Sequence, residues 1–240
     1  MAPPVVACLH HLDSPATGHA GHAIRAAGLE LDERHVTGGD ALPRVDEVDG
    51  VLTLGGDESV RDIASLPALD AEASFLRAAV GRGIPVLGVC LGAQLLAHAL
   101  GGRVQRLPRR LLTWTPIEPL PPAAGDPVVG SLPDGAMALH WNEDGFDPPP
   151  GAVELLRRVS AGAEAFRFGD STWGVQFHPE ADAEALEGWY AVGARDLSEA
   201  AVAETDARAL DAAYLPGQAA LSEALFGGFA RVVAARTVRA

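Results

Sequence analysis

Ile84-Pro85-Val86-Leu87-Gly88-Val89-Cys90-Leu91-Gly92-Ala93-Gln94, running on through Leu95 to Leu100 and closed by Gly101-Gly102, is the stretch that decides the fold. Residues 84–89 are an apolar run too short for a helix and read as a buried strand. Residues 91–100 are rich in Leu and Ala, good helix formers, and the two glycines follow where a helix C-terminus favours them. A strand passing straight into a helix leaves the Cys90 side chain projecting beyond the end of a sheet, and the flanking glycines let the backbone turn that sharply. The helix start also aims unpaired N–H groups and the positive end of its dipole at the sulfur, which favours the nucleophilic thiolate. A small cysteine buried in a core strand is the bland alternative. The strand–turn–helix setting argues against it.

Upstream, residues 5–9, 29–36 and 51–54 read as strands, with helices around 19–27 and over 69–82, the latter followed by Gly83. Strands alternating with helices predict a mostly parallel sheet covered on both faces. Beyond Arg103 the pattern changes to short strand candidates at 104–107, 111–117, 136–140, 153–159, 165–168 and 173–177. Proline-rich stretches at 116–127 and 147–151 read as loops. Ala-rich segments at 181–194 and 203–235 read as helices on the outside of the sheet. The expected architecture is α/β: a single domain over residues 1–240, with a mostly parallel central sheet flanked by helices and a smaller antiparallel extension.

The chain has 240 residues, of which 48% are hydrophobic and 21% charged, an ordinary globular balance. Its 32 acidic and 18 basic residues give a formal charge of −14. A surface this acidic repels phosphate backbones and anionic lipid, so neither nucleic acid nor a membrane is an expected partner. The N-terminus lacks the basic start and long apolar core of a signal peptide. The longest apolar region, 84–100, is interrupted by Pro85, Gly88, Gly92, Gln94 and His98, unlike a span of about 20 apolar residues. Two cysteines, Cys8 and Cys90, are too few for a disulfide scaffold. Both are expected reduced, in a soluble cytoplasmic protein.

A second motif, Gln176-Phe177-His178-Pro179-Glu180, ends a strand candidate. In extended backbone His178 and Glu180 project from the same side, and Pro179 ends the ladder between them. Glu180 can then hold one imidazole nitrogen, leaving the other to exchange a proton with Cys90 and a leaving amine. A surface His beside a surface Glu is the commoner meaning of such a triplet; a cysteine elbow elsewhere in the chain makes it the weaker one here.

Together, Gly88-Val89-Cys90-Leu91-Gly92-Ala93-Gln94, Phe177-His178-Pro179-Glu180 and the upstream Leu54-Gly55-Gly56 resemble the signatures of the class I (triad-type) glutamine amidotransferases. Stand-alone members similar to the amidotransferase domain of GMP synthase match best. The resemblance runs from about residue 51 to residue 180. It implies a flavodoxin-like amidotransferase fold and hydrolysis of the glutamine side-chain amide to glutamate and ammonia through a γ-glutamyl thioester. It further implies a Cys90–His178–Glu180 triad, an oxyanion hole from the N–H groups of Gly56 and Leu91, and substrate contacts from Gly55, Gln94, Trp141, Asn142 and Glu143. No cofactor and no metal are called for. The substrate would be glutamine or a γ-glutamyl compound, with a separate synthetase subunit as a partner for the ammonia.

Two departures stand out. Members of the family usually follow Gly-Gly with Pro, where this chain has Asp57-Glu58. They commonly carry a His-Gly-Asp turn where this chain reads His140-Trp141-Asn142-Glu143-Asp144, and Glu143 lacks glycine's access to positive φ. These bear on which amino-acid substrate is bound. A free-standing hydrolase of γ-glutamyl amides or peptides is therefore an alternative, and a non-catalytic or redox-sensing protein built on a cysteine elbow is another. The remaining features read as bland. His10, His11, His19, His22 and His35 gather near the N-terminus without the Cys or carboxylate pattern of a metal site. Cys8 reads as core packing, and residues 125–130 lack the Lys-Ser/Thr ending of a phosphate loop.

Overall fold

The computed structural model describes residues 2–13, 17–158 and 161–237. The first strand, β1 (Val5–His10), shows how the core is divided. Side chains of a strand alternate between faces. Val6 and Cys8 pack into one apolar cluster, and Ala7 and Leu9 into a second on the other side of the sheet. A strand buried on both faces must be apolar throughout, which is why this one reads as a continuous run rather than an alternating one.

In chain order β1 is followed by α1 (Gly18–Ala26), β2 (Glu30–His35), β3 (Gly50–Thr53), α2 (Pro67–Gly81), β4 (Val86–Val89) and α3 (Leu91–Ala99). Then come β5 (Arg103–Pro119), β6 (Met137–Asp147), β7 (Val153–Arg158), β8 (Ala161–Phe168) and β9 (Thr172–Val175). The helices α4 (Ala183–Val192), α5 (Ala194–Ala200) and α6 (Glu204–Thr237) close the chain. Among the described residues nine strands form one sheet in the order β2-β1-β3-β4-β9-β8-β7-β5-β6. The five strands from β2 to β9 pair in parallel, and β8, β7, β5 and β6 extend them antiparallel. This is the α/β architecture expected, a mixed sheet flanked by helices.

Ile24 of α1 joins Leu225, Phe226 and Phe229 of α6 on the face that receives Cys8. Leu69 and Leu76 of α2 join Leu95 and Leu96 of α3 on the opposite face. Cys8 is fully buried, as its position in an apolar strand implies. Among the described residues no helix is long and apolar enough to cross a membrane.

The second half departs from its sequence reading. The candidates at 104–107 and 111–117 are one strand, β5, with a register irregularity between Arg106 and Leu111. Pro108 falls in that irregularity, where a missing N–H costs no ladder bond. β5 continues through Pro119 before a short 3-10 turn at Pro121–Ala123, so the expected loop at 116–127 begins later. β6 runs on past His140 to Asp147; Trp141, Asn142 and Asp144 pair with β5, and Glu143 lies within the strand opposite the register irregularity. Glu143 therefore adopts ordinary extended backbone, and its lack of glycine's freedom has no cost; the positive-φ non-glycine residues described are Cys90 and Ala201. The final strand stops at Val175 rather than Phe177, so His178 and Glu180 sit just past its end, with Glu180 in a turn. The helix expected over 181–194 is α4, and a further short helix, α5, follows it over a stretch that had no assignment. Val159, expected in a strand, lies outside the described residues.

Candidate active site

Cys90 occupies the junction between β4 and α3 with φ 52° and ψ −109°, a conformation that non-glycine residues rarely adopt. Strain of this kind costs on the order of 1–3 kcal/mol and persists only where the surroundings over-determine it. Here they do. The Cys90 N–H donates to the Val175 carbonyl at 2.8 Å, Gly92 N–H to the Leu54 carbonyl at 3.1 Å, and Gln94 N–H to the Cys90 carbonyl at 3.0 Å. Gly92 is obligatory at this approach, because a Cβ there would collide with the Thr53 carbonyl.

His178 is brought to the same place by the end of β9. Its Nδ1 lies 2.7 Å from Glu180 Oε1. Between the two motifs sits Gly55: a Cβ built on it would lie 3.0 Å from His178 Cε1 and 3.6 Å from Cys90 Cβ. Cys90, His178 and Glu180 are each 5% exposed or less, so their charges interact with little solvent screening. Burial opposes the charged form of His178. The Cys90 sulfur and the Glu180 carboxylate outweigh it and hold the imidazole's pKa well above its ordinary value. Nε2 has no completed hydrogen bond among the described residues.

The loop His178-Pro179-Glu180 is tied down at every carbonyl. Gln218 of α6 donates its side-chain amide to the His178 carbonyl at 2.5 Å, and the Ser222 hydroxyl donates to the Pro179 carbonyl. The backbone N–H of His19, at the start of α1, donates to the Glu180 carbonyl at 3.2 Å, and the His178 N–H donates to Leu139 of β6 at 2.9 Å. A Cβ on Gly18 would also meet the Glu180 carbonyl.

The amides of Gly56 and Leu91 meet no acceptor among the described residues. Leu91 opens α3, where a helix's first N–H groups are unpaired and aim outward. The two residues touch, since a Cβ on Gly56 would lie 2.9 Å from Leu91 Cδ2. Gln94 is buried and donates to the Asp144 carbonyl at 3.1 Å and to Gln176 Oε1 at 3.3 Å. Gln176 in turn donates to Cys90 Sγ at 3.6 Å, so a side-chain chain runs from β6 to the sulfur.

The departures from the family pattern meet on one wall. Asn142 donates to the Asp144 carbonyl at 2.8 Å, and the Asp144 carboxylate accepts from Ser59 at 2.5 Å and Arg61 at 2.9 Å. Glu143 pairs with Arg106 at 2.9 Å and Arg110 at 2.5 Å. Arg110 also reaches Asp196 at 2.9 Å, which accepts the Trp141 indole N–H at 2.7 Å. Trp141 stands edge-on to Trp189, whose ring centroid lies 4.9 Å from that of His178. Asp57 beside Gly56 has its pKa raised by partial burial and by Asp196, against Arg110.

Sequence reasoning missed Gln176, Trp189, Gln218, Ser222 and the buried pair His11–Glu72. Gln176 had a usable signal: it lies two residues before His178, and that spacing puts both on one side of extended chain. Trp189, Gln218, Ser222 and Glu72 come from helices, and His11 from the end of β1, and their pairing with the site is purely tertiary. Of the N-terminal histidines, His10 and His35 stack with ring centroids 5.0 Å apart.

The family model "Glutamine amidotransferase class-I" matches residues 21–188. A glutamine amidotransferase-like protein of Salmonella typhimurium is 28% identical over 72% of this chain and 74% of its own length. A GMP synthase [glutamine-hydrolyzing] of Thermomicrobium roseum is 35% identical over 55% of this chain, a match that spans 23% of the synthase. A gamma-glutamyl-L-1-hydroxyisopropylamide hydrolase of a Pseudomonas species is 31% identical over 65% of this chain and 55% of that hydrolase. In structure, a glutamine amidotransferase from Thermotoga maritima superposes with a TM-score of 0.84 over 96% of this chain and 98% of that one, at 24% identity, and so shares its fold. With the matched stretch carrying both the elbow and the His178 loop, the chain belongs to the class I glutamine amidotransferase family.

Proposed function

We propose that the protein hydrolyses the side-chain amide of glutamine to glutamate and ammonia, with Cys90 as nucleophile, His178 as proton carrier and Glu180 as its orienting carboxylate. The observation that carries this reading is the 2.7 Å contact between His178 and Glu180 beside a strained cysteine at a helix N-terminus. Cys90 thiolate attacks the carboxamide carbon, and the C=O electrons move to oxygen, where Gly56 and Leu91 N–H groups meet the charge. The His178 imidazolium gives its proton to the amide nitrogen, the C–N bond breaks and ammonia leaves. Neutral His178 then takes a proton from water, whose hydroxide adds to the thioester. Collapse returns the Cys90 thiolate, the imidazolium and glutamate.

Trp189 closes one side of the imidazole, which keeps the ion pair in a low-dielectric setting. The chain's own contacts assign no acceptor for the ammonia. A separate synthetase subunit would take it, a reading supported by the similarity to glutamine-hydrolysing GMP synthases. A free-standing γ-glutamyl amide hydrolase is the second reading. It is favoured by the named activity of the Pseudomonas relative and by the Asp57, Trp141 and Glu143 wall, which differs from the family pattern where the substrate's amino-acid end would lie.

The test is release of glutamate from L-glutamine and from a panel of γ-glutamyl amides, with and without cell extract. Turnover of glutamine that rises with extract supports the subunit reading, and strong turnover of one γ-glutamyl amide alone supports the hydrolase. No glutamate from any of them, with Cys90 unreactive toward chloroacetamide, would overturn both.

A further inference from the structure

β1 and β3 are parallel neighbours, so the residue after β1, His11, emerges beside the loop after β3 that carries Gly55 and Gly56. His11 is buried. Its Nδ1 faces the Gly55 carbonyl oxygen at 3.3 Å, and its Nε2 faces Glu72 Oε2 at 2.7 Å. Glu72, on α2, is fully buried, and its other oxygen accepts the Thr53 hydroxyl at 2.7 Å. A carbonyl and a carboxylate are acceptors only, so both ring bonds form together when both nitrogens carry protons. His11 is then an imidazolium. Burial opposes that charge, but Glu72, with Glu58 and the Gly55 carbonyl, raises its pKa above the ordinary value. The titratable groups that face it are Glu72 from α2, Glu58 from the loop and the adjacent His10.

The Gly55 carbonyl and the Gly56 N–H are the two ends of one peptide group. A cation donating to the oxygen draws electron density toward it and makes the nitrogen's proton a stronger donor, as in any polarised hydrogen-bond chain. Contact is close, since a Cβ on Gly56 would come within 2.5 Å of His11 Cβ. We propose that His11, held charged by Glu72, is a positioning residue that orients and polarises the Gly55–Gly56 peptide and so strengthens the Gly56 N–H toward the oxyanion. This rests on the reading of Gly56 as an oxyanion donor. It gives work to a buried acid–base pair that the proton transfers at His178 leave unused.

Two reactions of the same sulfur separate this role from a structural one. Acylation by L-glutamine builds an oxyanion; alkylation by chloroacetamide displaces chloride and builds none. In His11→Phe, kcat for glutamine should fall roughly tenfold, less than the 10²–10³ lost with a whole oxyanion donor. KM should stay within about twofold, and the rate of Cys90 alkylation should stay at the wild-type value. Glu72→Gln, which keeps the shape but removes the charge that stabilises the imidazolium, should show the same split, and serves if the Phe variant does not fold. An unchanged kcat in folded variants overturns the proposal, and so does an equal fall in turnover and alkylation, which is the mark of a loosened site. Wild-type protein that alkylates at Cys90 yet releases no glutamate from glutamine or from any γ-glutamyl amide would overturn the acyl-transfer reading and this inference with it.

Discussion

Gln218 of α6 holds the backbone carbonyl of His178 at 2.5 Å, although the two residues are 40 positions apart and α6 begins beyond the stretch that matches the family. With Ser222 on the Pro179 carbonyl, the C-terminal helix fixes the loop that carries the imidazole and its carboxylate. The helix is thus part of the site's support, not only a cover for the sheet.

Removing that support has a measurable signature. Gln218→Leu leaves a buried carbonyl unpaired, and such a group costs about 1–3 kcal/mol. Chemical denaturation should read a loss in that range, and kcat should fall by about tenfold as the imidazole loses its fixed position. Ser222→Ala should do the same more weakly. Wild-type kcat in a Gln218→Leu protein would show that α6 does not position His178.

The pH dependence follows from the raised pKa of His178. Imidazolium is the form that protonates the leaving amine, so kcat should hold up above the ordinary histidine range and fall only as pH rises through the raised value. Glu180→Gln removes a charge that raises that pKa, so the alkaline fall must begin at lower pH, with kcat at neutral pH down roughly 10²-fold or more. The stability contributed by the His178 charge is present below about pH 6.5 and lost as pH passes the folded value. Wild type and variant should therefore converge in stability at alkaline pH. An alkaline limb that stays in place in Glu180→Gln contradicts the assignment.

The two cysteines should behave oppositely. Cys8 is fully buried, and desolvation together with the Glu33 charge pushes its thiol pKa far up, out of the reactive range. Peptide mapping after chloroacetamide treatment of native protein should find Cys90 modified and Cys8 untouched, with Cys8 reacting only after unfolding. Equal modification of both in native protein would refute the distinction.

Gly92→Ala tests the packing of the elbow. The new Cβ meets the backbone carbonyl of Thr53, which cannot swing away as a side chain could. The cost should reach about 1–3 kcal/mol by denaturation, with activity lost beyond detection because Cys90 must shift. A stable, active Gly92→Ala protein would mean the strand–helix junction is looser than these contacts imply.

The first hundred residues were legible because their signals are local. Buried parallel strands are continuous apolar runs, helices end at Gly83 and Gly101, and the cysteine elbow names its own geometry. The ribbon of β5 and β6 was not, because much of its polar surface is satisfied internally. Asp144 is buried, yet its partners Ser59, Arg61 and Gln94 come from distant parts of the chain, so the stretch looked like a turn. The site divides the same way. Cys90, His178 and Glu180 sit in short motifs that the chain displays. His11 and Gln218 act through backbone carbonyls they reach only after folding, and nothing in their own sequence neighbourhoods marks them.

The central claim is covalent: an acyl group passes through Cys90. Rapid acid quench of the protein during turnover of L-glutamine or the best γ-glutamyl amide, followed by mass mapping, reads it directly. One γ-glutamyl group on the Cys90 peptide, absent in Cys90→Ser, is the result this account requires. Turnover with no adduct under any quench time, or an adduct on another residue, would contradict it.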